Sequence, residues 1–380
     1  MIDVIDLTQK LVRCKSVTPD DAGSQKIIKD ILSDLGFEIY DLPFDGDGSY
    51  PVHNFFARIG TNAPHICYAG HNDVVPAGDE AAWTHPPFDA AIEGDIMYGR
   101  GTSDMKGGNA AFISAIAQFL KDTPDFKGSI SVLITGDEEA DAINGTVKVL
   151  DWMKNNNHVP DACLVGESSN IKELGEEIKI GRRGSLSGVL SVSGKQGHVA
   201  YPHFANNPLP RLCAMATALS TYIFDEGNEY FPATNLEITN INVGNKVGNV
   251  IPAKADLNFN IRFNTKWTME SLDKKLHEVL DTVSSDYSLT TGGNALPFIT
   301  EPGRWTEIVS SVVAKHTNRT PKLSTGGGTS DARFISQYCP VVEFGLTNET
   351  IHKVDECLNI NDLQKLVIIY KDILLHYFQK

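Results

Sequence analysis

The stretch HICYAGHND, residues 65–73, decides how this chain is read. An apolar run, His65–Gly70, ends on a glycine and hands the backbone to an imidazole, His71, and a carboxylate, Asp73. Three other apolar runs lead into or lie close to the same chemistry: Ile130–Gly136 precedes Glu138 and Glu139, Ala162–Gly166 precedes Glu167, and Val341–Gly345 comes shortly before His352. Apolar strands that feed loops carrying His and carboxylates are how an open α/β sheet builds a site at its carboxyl edge. Asp104, in GRGTSDMKGG, adds a further carboxylate. Two imidazoles with three or four carboxylates suffice for two borderline metal ions sharing one carboxylate bridge. The expectation is an α/β metallohydrolase.

Outward from these runs, helical spacing is present over residues 3–13 and 24–35, and again over Lys106–Lys121, whose opening Gly107 and Gly108 imply close backbone packing. Strands are predicted at Phe37–Leu42, Asn54–Ile59, Ile66–Ala69, Ile130–Thr135 and Ala162–Val165, with a helix over Thr146–Asn155, which makes a sheet covered by helices. After Gly181 the grammar changes to strand (Leu186–Val192), helix (Pro208–Phe224), two strands (Asn235–Val243, Ala255–Phe263), helix (Met269–Ser284) and a short strand at Tyr287–Thr291. The chain then returns to helix (Glu307–His316), strand (Val341–Gly345) and helix (Asn361–Phe378). Because Glu167 precedes the middle block and His352 follows it, one shared site requires that block to be an insertion. The expected division is residues 1–181 and 295–380 as the catalytic domain and 182–294 as an inserted α+β domain.

At 380 residues, two domains fit better than one core. A formal charge of −15 without a basic cluster argues against nucleic acid. No apolar stretch reaches the roughly 18–20 residues that span a bilayer, so no membrane association is expected. The N-terminal MIDVIDLTQKLVRC lacks the form of a signal peptide. Six scattered cysteines without a C-x-x-C pair read as reduced thiols, and the expected compartment is the cytoplasm.

Taken singly, the polar residues have bland readings: His71–Asp73 as a polar turn, Asp104 as a helix cap, Glu138–Glu139 as a solvated acidic loop. Adjacent carboxylates at the end of a buried strand repel, however, and need a compensating charge. Two neighbours cannot easily serve one ion in one role, so one of the pair reads as ligand and the other as base.

The motifs GHNDVVP (Gly70–Pro76), WTHPPF (Trp83–Phe88), YGRGTSDMKGG (Tyr98–Gly108) and GDEE (Gly136–Glu139) together resemble the M20 family of dinuclear zinc amidohydrolases. The resemblance implies a zinc-peptidase-like catalytic domain, a mixed sheet flanked by helices, with an inserted ferredoxin-like domain acting as lid and dimerisation surface. It implies two Zn2+ per subunit, with Co2+ able to substitute: His71, Asp104 and Glu167 on one, and Asp104, Glu139 and His352 on the other. Asp104 would bridge, Asp73 would orient His71, Glu138 would be the general base, and the Asp104–Met105 peptide would be cis.

The stretches GRRGSLSG (Gly181–Gly188), GHVAYP (Gly197–Pro202), NVIP (Asn249–Pro252), GGGTSDARF (Gly326–Phe334) and NETIHKVDE (Asn348–Glu356) point within the family to a branch acting on N-succinyl-LL-2,6-diaminopimelate, a small substrate with three carboxylates. Guanidinium forks suit such a molecule. Arg182, Arg183 and Arg262 are candidates, Arg182 and Arg262 by resemblance. Ser185, Tyr201, Thr329 and Asn348 would add hydrogen bonds, and the Gly326–Gly328 loop its amides. The resemblance also implies a homodimer through the inserted domain, in which His198 and Asn249 reach the partner subunit's site and His198 stabilises the oxyanion. The alternatives are an acetylornithine deacetylase or another N-acyl amino acid amidohydrolase or carboxypeptidase, and a silent binding protein, which would have lost Glu138 or a ligand.

Overall fold

The structure, a computed structural model, describes residues 2–379 and falls into two compact units. The first comprises Met1–Gly181, Ile299–Ser324 and Ser330–Lys380, and the second Arg182–Phe298 and Thr325–Thr329. Residues 295–298 and 325–329 thus group with the second unit rather than with the catalytic part. Ala295 still pairs with Ser185 in the second unit's sheet, the Thr325 hydroxyl donates to the Tyr230 carbonyl, and Arg182 donates to the Gly328 carbonyl at 3.1 Å.

The first unit is built on an eight-stranded mixed sheet. Its centre is four parallel strands, in the order Ser129–Thr135, His65–His71, Ala162–Val165, Val341–Glu343. All four are buried along their whole length, which is why they read as continuous apolar runs and not as alternating ones. Antiparallel strands Phe55–Ile59 and Glu38–Asp41 extend one side, and Glu177–Lys179 and Lys322–Ser324 the other. Helices flank the sheet. Gly107–Asp122 packs against the terminal helix Ile360–Phe378. Phe112 stacks on Tyr68 of the central strand at 4.1 Å, with Tyr370 edge-on to Phe112 at 5.6 Å.

The second unit runs strand, helix, strand, strand, helix, strand: Gly184–Ser193, Leu209–Ser220, Asn235–Asn242, Lys254–Phe263, Met269–Asp281, Ser288–Ala295. Its antiparallel sheet, with the first strand between the third and fourth and the second at the edge, is ferredoxin-like. Strict alternation divides its faces. Leu186, Leu190, Leu257, Phe259, Ile261 and Phe263 pack with Leu212, Met215, Leu272 and Leu276 of the helices, while Ser185, Ser187, Asn258, Asn260 and Arg262 fall on the opposite face. The first helix stops at Ser220, short of the expected Phe224, and Ile223 beyond it is 78% exposed. Short strands such as Phe44–Gly46, Ser49–Val52, Ala91–Glu93, Ile96–Tyr98 and Cys357–Asn359 carry too few residues to show a period and are not legible in the sequence.

Close packing at the carboxyl ends of the central strands brings the polar loops together. A Cβ on Gly166 would lie 1.9 Å from the Tyr68 hydroxyl and 2.8 Å from the Met105 methyl. One on Gly70 would lie 2.3 Å from Asn109 Oδ1, and one on Gly108 would lie 2.6 Å from the Gly166 carbonyl. The glycines at 107 and 108 let the helix start pack tightly, as their pairing predicts. Gly166→Ala is expected to destabilise the metal-free chain by roughly 1–3 kcal/mol through overpacking against Tyr68. A lowered urea midpoint with unchanged slope checks this; an unchanged midpoint contradicts it.

Candidate metal centre

Most candidate metal-site residues of the first unit leave the end of a strand or the start of a helix, and His352 comes from a loop. His71 is the last residue of its strand, Glu138 and Glu139 follow Ser129–Thr135 by two residues, and Glu167 follows Ala162–Val165 by one. Asp104 sits in a wide turn in which Lys106 N–H donates to Gly101 O, directly before helix Gly107–Asp122, and the Asp104–Met105 peptide is cis. His352 lies in a tight loop with φ +60°.

The two carboxylate oxygens of Asp104 face two different imidazoles. Oδ1 lies 3.2 Å from His71 Nε2, and Oδ2 lies 3.2 Å from His352 Nε2. Glu167 Oε1 is 3.6 Å from His71 Nε2, and Glu139 Oε1 is 3.0 Å from His352 Nε2. Two three-donor groups result, His71/Asp104/Glu167 and Asp104/Glu139/His352, each with its ligand atoms within 4.8 Å of one another. A third grouping, His71/Glu138/Glu139, meets the same limit. One imidazole nitrogen with carboxylate oxygens is a donor set that suits zinc-type divalent cations.

The electrostatics follow from crowding. Burial alone would lower the pKa of His71, but Asp104 and Asp73 more than offset it and hold the imidazole well above its ordinary value. His352 is pushed up to about 10 by its hydrogen bonds to Asp104 and then Glu139. Asp104 is held below the usual carboxylate range: burial opposes ionisation, yet the two imidazoles prevail. Glu138 and Glu139 are raised, each chiefly by burial, with Glu167 adding repulsion at Glu138. A cluster this rich in carboxylate matches a divalent cation in charge.

Asp73 acts differently from the arrangement expected of it. The group within hydrogen-bond distance of His71 Nδ1 is the Asp73 main-chain carbonyl, at 2.9 Å, with the carboxylate at 3.6 Å. The Asp73 carboxylate accepts from Thr18 Oγ1 at 2.7 Å and from the amides of Glu138 and Glu139 at 3.3 and 3.1 Å. Asp73 therefore braces the acidic pair through its carboxylate and the imidazole through its carbonyl.

Sequence reasoning missed, among other buried carboxylates, two that border the candidate ligands. Glu356 is fully buried against the Asp104 turn. Asp331 lines a cavity of about 10 Å3 with His71, Glu138, Thr146 and Glu167, room for roughly one water. Its carboxylate is raised to about 6, mainly by burial. Both lie inside quoted motifs, GGGTSDARF and NETIHKVDE, but an isolated acid shows no sign of burial in a sequence.

Asn348 belongs to the first unit, where its N–H donates to the Asn170 carbonyl at 2.8 Å and its amide group donates to the Ser168 carbonyl at 3.5 Å, one residue from Glu167. The other substrate-binding candidates belong to the second unit. Ser185 and Arg262 are direct cross-strand partners, and Asn235 pairs with Arg262 from the other side. Asn260 donates to Ser185 Oγ at 3.1 Å, and Arg183 donates to Asn235 at 2.9 Å. Arg182 is buried, and Thr329 lies in the same unit's loop 325–329. His198 and Asn249, both exposed, come together at a small ribbon, Gly197–His198 against Val250–Ile251, where Val199 N–H donates to the Asn249 carbonyl. Tyr201, 57% exposed, stands 5.7 Å from the His198 ring.

Comparison with known proteins places this geometry in a lineage. The model of peptidase family M20/M25/M40 matches residues 67–376. A protein of Rhodospirillum centenum named succinyl-diaminopimelate desuccinylase is 50% identical over 376 residues, covering 99% of this chain and 97% of its own. One of the same name from Beijerinckia indica is 49% identical, covering 98% of each. Among solved structures, an M20 family metallo-carboxypeptidase from Sulfolobus solfataricus superposes with TM-score 0.78 at 17% identity over the whole of both chains. Aminopeptidase PepT from Bacillus cereus gives TM-score 0.78 at 18% identity over 99% of this chain and 98% of its own. At such identities these two show the shared fold alone. With three of the four parallel strands presenting His71, Glu139 and Glu167 around Asp104, and a family match spanning most of its length, this chain belongs to peptidase family M20/M25/M40.

Proposed function

We propose that the chain hydrolyses N-succinyl-LL-2,6-diaminopimelate to succinate and LL-2,6-diaminopimelate. The observation that carries the reading is Asp104, whose two oxygens face His71 and His352 in two donor groups. Identity of 50% and 49%, over nearly the full length of the chain, to proteins named succinyl-diaminopimelate desuccinylase supports the substrate. In this reading His71, Asp104 and Glu167 hold one Zn2+, and Asp104, Glu139 and His352 hold the other, with Co2+ an alternative. A bound pair of such cations polarises the amide carbonyl and acidifies water. Glu138, left over once both groups are filled, takes a proton from the attacking water and delivers it to the departing amine nitrogen. Its raised pKa suits a group that must first accept and then donate. Asp73 keeps Glu138 in place through the backbone.

Arg182 and Arg262 engage the substrate's carboxylates, with Ser185, Tyr201, Thr329 and Asn348 adding hydrogen bonds. The inserted unit serves as lid and dimerisation surface, with His198 and Asn249 acting at the partner subunit's site. What supports the dimer is apolar surface on that unit, including Phe204 at 66%, Ile241 at 52% and Val247 at 55% exposure. Six free cysteines support a reducing compartment such as the cytoplasm. No helix among the described residues is long and apolar enough to cross a membrane.

Glu138→Gln is expected to lower kcat by about 10²–10⁴-fold, the range of general-base catalysis, while the protein still binds two cations. Undiminished turnover would contradict the assignment. At equal metal loading, N-succinyl-LL-2,6-diaminopimelate should be hydrolysed faster than N-acetylornithine; the reverse order would overturn the substrate and leave the chemistry standing. The pH dependence of metal uptake gives a further check. With its pKa raised to about 10, metal-free His352 carries a proton at neutral pH, and a cation must displace it. Affinity at the Asp104/Glu139/His352 group should therefore rise with pH below that value, by up to about tenfold per unit for one proton. Calorimetry in buffers of different ionisation enthalpy reads the released proton directly, and an affinity flat with pH would exclude the linkage.

A further inference from the structure

Three conspicuous features of the sequence find no part in this chemistry: Trp83 of WTHPPF, Arg100 of GRG, and the acid that closes NETIHKVDE, Glu356. The structure joins them. Glu356 is 0% exposed, and its carboxylate accepts four hydrogen bonds from one short stretch of chain. Oε2 takes Arg100 Nη1 at 2.7 Å and the Gly101 amide at 3.0 Å. Oε1 takes the Ser103 amide at 3.0 Å and the Asp104 amide at 3.1 Å. The Glu356 carbonyl accepts a fifth, from the Gly99 amide at 2.8 Å. Arg100, itself 2% exposed, lies over the Trp83 ring with its guanidinium carbon 5.2 Å from the centroid, and Trp83 is pinned by its own Nε1–H to the Ala77 carbonyl at 3.0 Å.

We infer that Glu356 is a positioning residue that sets the spacing between Asp104 and His352 and so completes the second cation site. It grips the backbone of Asp104 directly, and it stands four residues beyond His352 in the chain. The intervening loop is held at several points. Asp355, at φ +59°, accepts from the amide and hydroxyl of Thr84 at 2.7 and 2.8 Å. The Thr350 hydroxyl exchanges hydrogen bonds with the Cys357 backbone, both at 3.1 Å. Two of the three donors in the Asp104/Glu139/His352 group therefore depend on one carboxylate for their separation. The His71/Asp104/Glu167 group does not: His71 is fixed by its own strand and the Asp73 carbonyl, and the Glu167 segment is tied to the Asp104 turn by Ser168 Oγ donating to the Ser103 carbonyl at 2.6 Å.

The site demands a carboxylate specifically. Both oxygens face two N–H donors each, so a carboxamide, whichever way it turns, sets its NH₂ against a pair of donors. Arg100 supplies the matching charge, so the buried pair is neutral beside the crowded acids of the cation sites. Partners that orient ligands typically change metal affinity by about 10–100-fold when lost.

The inference rests on the dinuclear reading above, and the test separates the two. Metal-free unsubstituted protein, E356Q and the double variant E356Q/R100M, which removes the stranded guanidinium, are titrated calorimetrically with Zn2+ against a competing chelator, and with Co2+ by visible absorption. Expected in both variants is a second association weakened on the order of 10–100-fold, with the first changed by less than about threefold. Two unaltered associations in a folded variant, or equal weakening of both, overturns the inference and leaves the dinuclear reading intact. Fewer than two cations on the unsubstituted protein defeats that reading itself. A measurement that needs no substitution is amide hydrogen exchange at Gly101, Ser103 and Asp104. Protection is expected with and without metal, and unprotected exchange in the loaded protein overturns the grip.

Discussion

How closely backbone can approach backbone at the carboxyl edge of the central sheet governs everything else in the first unit. Gly70, Gly166 and Gly345 stand where a Cβ would collide with a neighbouring side chain or carbonyl: Asn109 for Gly70, Tyr68 for Gly166, and the Gly166 and Glu167 carbonyls for Gly345. Two of these glycines directly precede a candidate ligand, His71 and Glu167. Without side chains there, the start of helix Gly107–Asp122 beds down on the strand ends. The Asp104 turn is thereby carried to within hydrogen-bond distance of His71. A site made of short side chains such as Asp needs this closeness, because Asp has little reach of its own.

Closeness brings an electrostatic cost, since carboxylates packed at one sheet edge repel and resist burial. The local responses are visible in each group. Imidazoles are driven toward their charged form, the acidic pair toward its neutral form, and Asp104 is held in its charged form because it touches both imidazoles. Outside the cluster, Asp73 and Glu356 spend their oxygens on backbone amides, which holds the loops rigid without adding uncompensated charge at the centre. Preorganisation of this kind lets a metalloenzyme keep ligand geometry without relying on the cation alone.

The inserted unit follows a simpler rule. Period-two alternation on its sheet assigns one face to the helices and leaves the other polar, and that second face carries Ser185, Asn260 and Arg262 as cross-strand neighbours. Arg183 is drawn toward Asn235 and Arg182 toward the Gly328 carbonyl, so two adjacent arginines in the chain have different surroundings.

The amino-acid sequence by itself determined the sheet's buried centre, because continuous apolar runs ending in glycine and then His, Asp or Glu admit few other readings. It also carried the candidate ligand residues, which stand at strand ends or in motifs, and the strand and helix grammar of the insertion. Only the tertiary structure decided which atoms face one another: that Asp104 turns one oxygen to each imidazole, that His71 leans on the carbonyl and not the carboxylate of Asp73, and that loop 325–329 groups with the inserted unit. Glu356 and Asp331 were illegible for the same reason. Each sits in a polar stretch that reads as solvated, and burial is a property of what folds over a residue from distant parts of the chain. Glu356 meets residues more than 250 positions away, a separation across which no local pattern can speak.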